Sequence, residues 1–167
     1  MKKLLVLLGF VAFFVGSVAR GQDEAGSAGG AKHMVVRAGA IEWGPAPAAL
    51  PPGSQAAVLA GDPSRPGVPY VLRAKLPDGY KVPPHWHPTD ENITVLQGTL
   101  LVGNGERFNP TTMEAMPVNS FACMPKAMRH FAMAKGETII QVHGIGPFEF
   151  KYVNPADDPR PAGTGKQ

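Results

Sequence analysis

Apolar and polar residues alternate with a period of two over several short stretches of this chain, and Gly, Pro and Asn punctuate them. That period marks a strand with one buried face. On this ground Gln55 to Ala60, Val68 to Leu76, Ile93 to Leu96 and Thr99 to Val102 read as strands. So do Phe121 to Met124, His130 to Ala134, Thr138 to His143 and Phe148 to Val153. Loops or turns fall at Gly61 to Gly67, Pro77-Asp78-Gly79, Gln97-Gly98 and Asn104-Gly105. Between Asn109 and Met116 the composition predicts one short helix, capped by Asn109 or Thr111. Met34 to Arg37 and Ile41 to Trp43 are β-prone pieces ahead of the Pro-rich run Gly44 to Gly53, which suits neither helix interior nor central strand. Twenty Gly and 18 Pro in 167 residues fit a loop-rich all-β protein better than a helical one.

The ends of the chain read differently. Met1-Lys2-Lys3, an apolar run from Leu4 to Gly16 and the small-x-small triplet Ser17-Val18-Ala19 make a secretory signal peptide over residues 1–19, cleaved after about Ala19. The run is shorter than the ~20 residues a membrane span needs, so no stable membrane anchor is expected. The mature chain is then exported, periplasmic or secreted. Residues 20–33 are Gly, Ala, Ser and acid without apolar periodicity, a disordered leader. A Pro-rich arm (34–54) with Trp43 as packing anchor, a β-barrel (55–153) and a polar tail (154–167) follow. No internal repeat appears, so one barrel is expected. Loss of Lys2 and Lys3 takes the 16 basic residues to 14 against 13 acidic, so the formal charge falls from +3 to +1. Without a clustered basic patch no nucleic-acid partner is expected. Cys123 is the only cysteine, so an internal disulfide is excluded, and Phe121-Ala-Cys123-Met124 reads as a buried strand with an inert thiol. A homodimer is left open.

The candidate chemistry lies between Gly79 and Gly98. His85 and His87 project to one side of a strand and Trp86 to the other, while Glu91 opens the next apolar run and can return its carboxylate to the same point. His130, after Pro125, offers a fourth ligand. Three imidazoles and one carboxylate form a borderline N/O site. It suits one divalent transition metal, Fe, Mn, Cu, Ni or Zn, and disfavours Ca, which prefers all-oxygen shells.

These residues resemble the cupin superfamily. Its first motif, G(X)5HXH(X)3-4E(X)6G, is matched at every fixed position by Gly79, His85, His87, Glu91 and Gly98. Its second, G(X)5PXG(X)2H(X)3N, is matched by Pro125 and His130, whereas Asn119 and Ala127 stand at the glycine positions and Ala134 at the asparagine. Those departures touch turn geometry and not ligation. The resemblance covers residues 55 to 150 and implies a single-domain, double-sheet jelly-roll barrel with a metal inside.

Four protein ligands leave two positions of a six-coordinate metal open, and Glu91 can either ligate or act as a base. Gln141 and His143 share one face of their strand and either approach the site or face away while Ile140 and Val142 fill the core. Trp86, Phe121, Met128, Phe131 and Met133 are either pocket-mouth residues or core. Asn92-Ile-Thr94, a glycosylation acceptor pattern, lies inside a strand and is discounted. A metal-dependent dioxygenase or related small-molecule enzyme, with Glu91 as its catalytic residue, is the first functional expectation. A non-catalytic cupin that binds or senses a metal or small ligand is the alternative.

Overall fold

Two strands run much longer than the sequence pattern predicts, and they set the architecture. In the computed structural model, which describes residues 33–161, Ile93 to Leu96 and Thr99 to Val102 belong to one strand, β5 (Glu91–Asn104). Likewise His130 to Ala134 and Thr138 to His143 merge into β8 (His130–Ile145). The others are β1 (Gly44–Pro45), β2 (Gln55–Gly61), β3 (Pro69–Leu76), β4 (Lys81–Trp86), β6 (Glu114–Pro117), β7 (Phe121–Met124) and β9 (Lys151–Tyr152). All pairings among them are antiparallel. From Val35 on, the described residues belong to one compact unit.

The sheet folds over because β5 and β8 each serve two halves. Their segments 92–97 and 139–143 pair with one another, with β3 carrying the sheet on to β2 and β1, and with β7 on the β5 side. Segments 99–104 and 130–135 pair again, with β4 and β9 beyond β8 and β6 beyond β5. Between the halves lie Gly98 and Gly136, at φ 71° and 72°. The bend also resets the strand's phase. Glu91, Ile93 and Val95 are buried before it and Leu100 and Val102 after it, so inward positions change from odd to even numbers across the register shifts at 95–99. Tyr70, Leu72, Ala74 and Leu76 of β3 and Ile140 and Val142 of β8 complete an apolar interior.

Several local expectations need correction. Met34 to Arg37 forms no strand, and the Ile41 to Trp43 piece gives way to the two-residue edge strand β1, where Pro45 costs no ladder bond. The helix expected over 109–116 shrinks to one 3-10 turn at Pro110–Thr112. Asn109 caps it by accepting from the Thr111 amide, and pairing with β5 turns the chain into β6 from Glu114. The last strand is only Lys151–Tyr152. Upstream, backbone groups are taken elsewhere: the Phe148 amide donates to the Pro63 carbonyl at 2.7 Å, and the Phe150 carbonyl accepts from Arg160 at 3.1 Å. Cys123 is exposed, because Ala122 and Met124 take the inward positions of β7 and leave Phe121 and Cys123 outward.

Two of the three departures from the second motif are a matter of turn geometry. Asn119 and Ala127 both adopt positive φ, 72° and 63°. Asparagine tolerates this conformation, whereas alanine pays roughly 1–2 kcal/mol for it. Ala127→Gly is therefore expected to stabilise the protein by about 0.5–1 kcal/mol after the extra chain entropy of glycine is subtracted. Urea denaturation reads this directly, and a lower midpoint for the variant would show that the Ala127 methyl packs usefully.

Candidate metal centre

His85 and His130 are register partners on β4 and β8, so the sheet itself sets the two imidazoles side by side, with ring centroids 4.3 Å apart. Pro83 and Pro84 interrupt the β4 ladder just before His85, at the register break between Val82 and His85. His87 follows the end of β4, and its carbonyl accepts from the Ala127 amide at 2.9 Å, which ties the first motif to the second. The Asp90 carboxylate accepts from the Lys126 amide at 2.8 Å and makes the same link. Glu91 opens β5.

These four residues converge and are all buried. One nitrogen from each of the three imidazoles lies within 4.8 Å of the others, so they can hold a metal ion. The Glu91 Oε2 lies 3.4 Å from His87 Nε2 and 3.3 Å from His130 Nε2. Each ring spends its other nitrogen on a backbone carbonyl: His85 Nδ1 on Pro83 at 2.7 Å, His87 Nδ1 on Glu149 at 2.7 Å and His130 Nδ1 on Met128 at 3.1 Å. A carbonyl only accepts, so Nδ1 carries the proton and the Nε2 lone pair points inward. His87 Nε2 and Glu91 Oε2 are buried with no hydrogen-bond partner among the described residues. Lone pairs facing a carboxylate in a dry site call for a cation.

Burial, then the neighbouring His130 and His87, hold the His85 imidazole down to about 3. This shift makes the folded state bind fewer protons than the unfolded chain in acid. Stability of the metal-free protein should therefore fall as pH drops below about 6.5, by up to about 1.4 kcal/mol per pH unit. Urea midpoints between pH 7 and pH 4 check this, and a flat profile would contradict the buried, neutral His85.

Phe150 stacks on His85 at 4.9 Å and Phe148 on His87 at 4.8 Å. Neither was singled out from the sequence, although Phe148, Phe150 and Tyr152 show the period of two. Of the five pocket-mouth candidates, none lines the cavity next to the site. Phe121 is exposed, Phe131 packs on Phe108 at 5.1 Å, and Trp86 points away from the histidines with Arg129 over its ring. Gln141 and His143 face away from the site: Ile140 and Val142 are the buried positions, and Gln141 accepts from Arg73 at 3.2 Å. The cavity measures about 60 Å3, with His85, Glu91 and His130 in its lining and only apolar side chains besides.

Neither a protein-family model nor a curated protein matches the chain. Solved structures do match. An RmlC-like cupin from Shewanella frigidimarina aligns over 67% of this chain and 89% of its own, with TM-score 0.51 and 11% identity. The fold is that of the cupins. An acetylacetone dioxygenase from Acinetobacter johnsonii aligns over 76% of this chain and 80% of its own, with TM-score 0.57 and 14% identity. For the polyketide cyclase RemF from Streptomyces resistomycificus the values are 77%, 90%, 0.58 and 15%. The jelly-roll expectation is borne out, and the chain holds its three motif histidines together inside the barrel.

Proposed function

We propose that this cupin binds one divalent transition metal through His85, His87, Glu91 and His130, and that it is a metal-dependent dioxygenase or related enzyme acting on a small molecule. One observation carries the reading: three Nδ1-committed imidazoles converge on one point, and two of them, His87 and His130, set Nε2 3.4 and 3.3 Å from the buried Glu91 Oε2, which has no hydrogen-bond partner among the described residues. The metal would supply a Lewis-acid or redox centre with open coordination positions. Around it the chain excludes water with Phe148, Phe150 and the apolar walls, and Glu91 is placed to hold or accept a proton at Oε2. The dioxygenase and the cyclase among the structural neighbours support small-molecule chemistry on this fold.

Residues 1–19 and the leader up to Lys32 lie outside the described residues, and export remains part of the proposal. Export in the unfolded state would load the metal after crossing the membrane, where copper and zinc outcompete iron and manganese at an N/O site. The test is oxygen consumption by Fe-, Mn-, Cu- and Ni-loaded protein with phenolic, enediol and thiol substrates, with Glu91→Gln as control. Turnover with one metal that Glu91→Gln abolishes supports the enzyme. Tight reversible ligand binding without turnover on any metal would establish the non-catalytic binding protein instead.

A further inference from the structure

The cavity that meets the metal centre is closed in part by a segment outside the barrel. Pro47 and Leu50 of the Pro-rich arm line it, together with Ala56 and Ala74, register partners on β2 and β3. Two alanines facing inward leave room that the barrel does not fill itself. The arm is seated by specific bonds. Tyr152 donates its hydroxyl to the Ala49 carbonyl at 2.7 Å, and Tyr80 donates to the Pro51 carbonyl while accepting from Ser54 Oγ. The Ala46 amide reaches the Ser54 carbonyl at 3.3 Å and the Leu50 amide the Pro47 carbonyl at 2.9 Å, so the nine residues 46–54 form a closed loop with Leu50 in its tight turn.

The lining also sets the chemistry of an occupant. Among the described residues no lysine, arginine, amide or hydroxyl faces the cavity, so nothing there can hold a second charge or read a pattern of hydroxyls. Every polar contact must come from the end formed by His85, Glu91 and His130. At about 60 Å3 the space is less than half the roughly 150 Å3 that takes up benzene in another protein's core.

We propose that residues 46–54 are the size gate of the site. Leu50, held between Ala49 and Pro51, whose carbonyls accept from Tyr152 and Tyr80, restricts the cavity to compact aliphatic molecules smaller than benzene that present one metal-binding polar end and an uncharged tail. This rests on the metal-binding reading above and goes beyond it in naming the occupant's class and the residue that limits it.

The experiment titrates Co(II)-loaded full chain with straight-chain monocarboxylates from acetate to hexanoate, read by the visible absorption of cobalt. Affinity should rise about fourfold per methylene, the value of burying one CH2, until the tail fills the cavity, and then fall at least about tenfold. Leu50→Ala should move that break to longer acids and Leu50→Phe to shorter ones. Succinate and β-alanine, whose tails carry a charge, should bind at least about tenfold more weakly than the uncharged acid of equal length. Breaks at the same length in the wild type and both variants would overturn the gate, as would equal binding of the charged tails. Cobalt that binds with a series flat in chain length sinks the gate alone, whereas cobalt that does not bind sinks the metal reading and the gate together.

Discussion

Replacing His130 or His87 with alanine is expected to lower metal affinity at least about tenfold, whereas His143→Ala leaves it unchanged. The lower bound is conservative. Removing a residue that merely orients a ligand typically costs about 10–100-fold, and these residues are proposed as ligands themselves. The five histidines of the chain provide the comparison internally. His85, His87 and His130 are almost fully buried around one point, while His143 lies on the opposite face of its strand, behind Val142, and His33 is exposed. The Nδ1 bonds to Pro83, Glu149 and Met128 fix the rings before any ion arrives, so little reorganisation is needed on binding. Equilibrium dialysis of the three variants against Zn(II) checks this. Equal affinity in His143→Ala and His130→Ala would contradict the assignment.

The second large effect concerns the bend that brings Glu91 to the histidines. Gly98→Ala should destabilise the protein by about 3 kcal/mol, and Gly79→Ala by only about 1 kcal/mol. Both glycines sit at essentially the same φ, 71° and 72°, so both substitutions incur the left-handed penalty of roughly 1–2 kcal/mol, less the chain entropy that alanine saves in the unfolded state. They differ in space. A Cβ at Gly79 meets nothing within 4 Å, whereas at Gly98 it would fall 2.4 Å from the Glu137 carbonyl oxygen and 2.7 Å from Thr138 Oγ1. Backbone cannot move aside as a side-chain tip can, and overpacking of this kind adds about 1–3 kcal/mol. Because Gly98 resets the inward phase of β5, relief by a one-residue slip would turn Glu91 or Leu100 to the wrong face. Paired urea or thermal melts decide it; equal losses for the two variants would show that strain alone matters at both positions.

Much of this was legible in the residues, for identifiable reasons. Strand periodicity is local, so β2, β3 and β7 fall within a residue of expectation. The spacing of His85, His87 and Glu91 is local as well, and the structure brings them together with His130. The misreadings are of two kinds. Gly98 looked like a turn because glycine signals a bend, and the strands flanking Gly136 read as two, but a left-handed glycine inside a paired strand produces a bulge without ending it. Cys123 was read as buried, and Gln141 and His143 were left between two faces, because the direction each strand faces depends on what packs against it. Phe148 and Phe150, the arm residue Leu50 and the Glu149 carbonyl that holds His87 were hidden for the same reason: each meets the site across a long stretch of chain, and no spacing rule encodes that meeting.

The central claim is a metal held by three imidazoles and one carboxylate. X-ray absorption at the zinc edge, on protein loaded with one equivalent, tests it most directly. The account predicts a first shell of only nitrogen and oxygen near 2.0–2.2 Å, with the outer-shell scattering of three imidazoles. A sulfur shell, fewer than two imidazoles, or failure to retain half an equivalent of metal would contradict it.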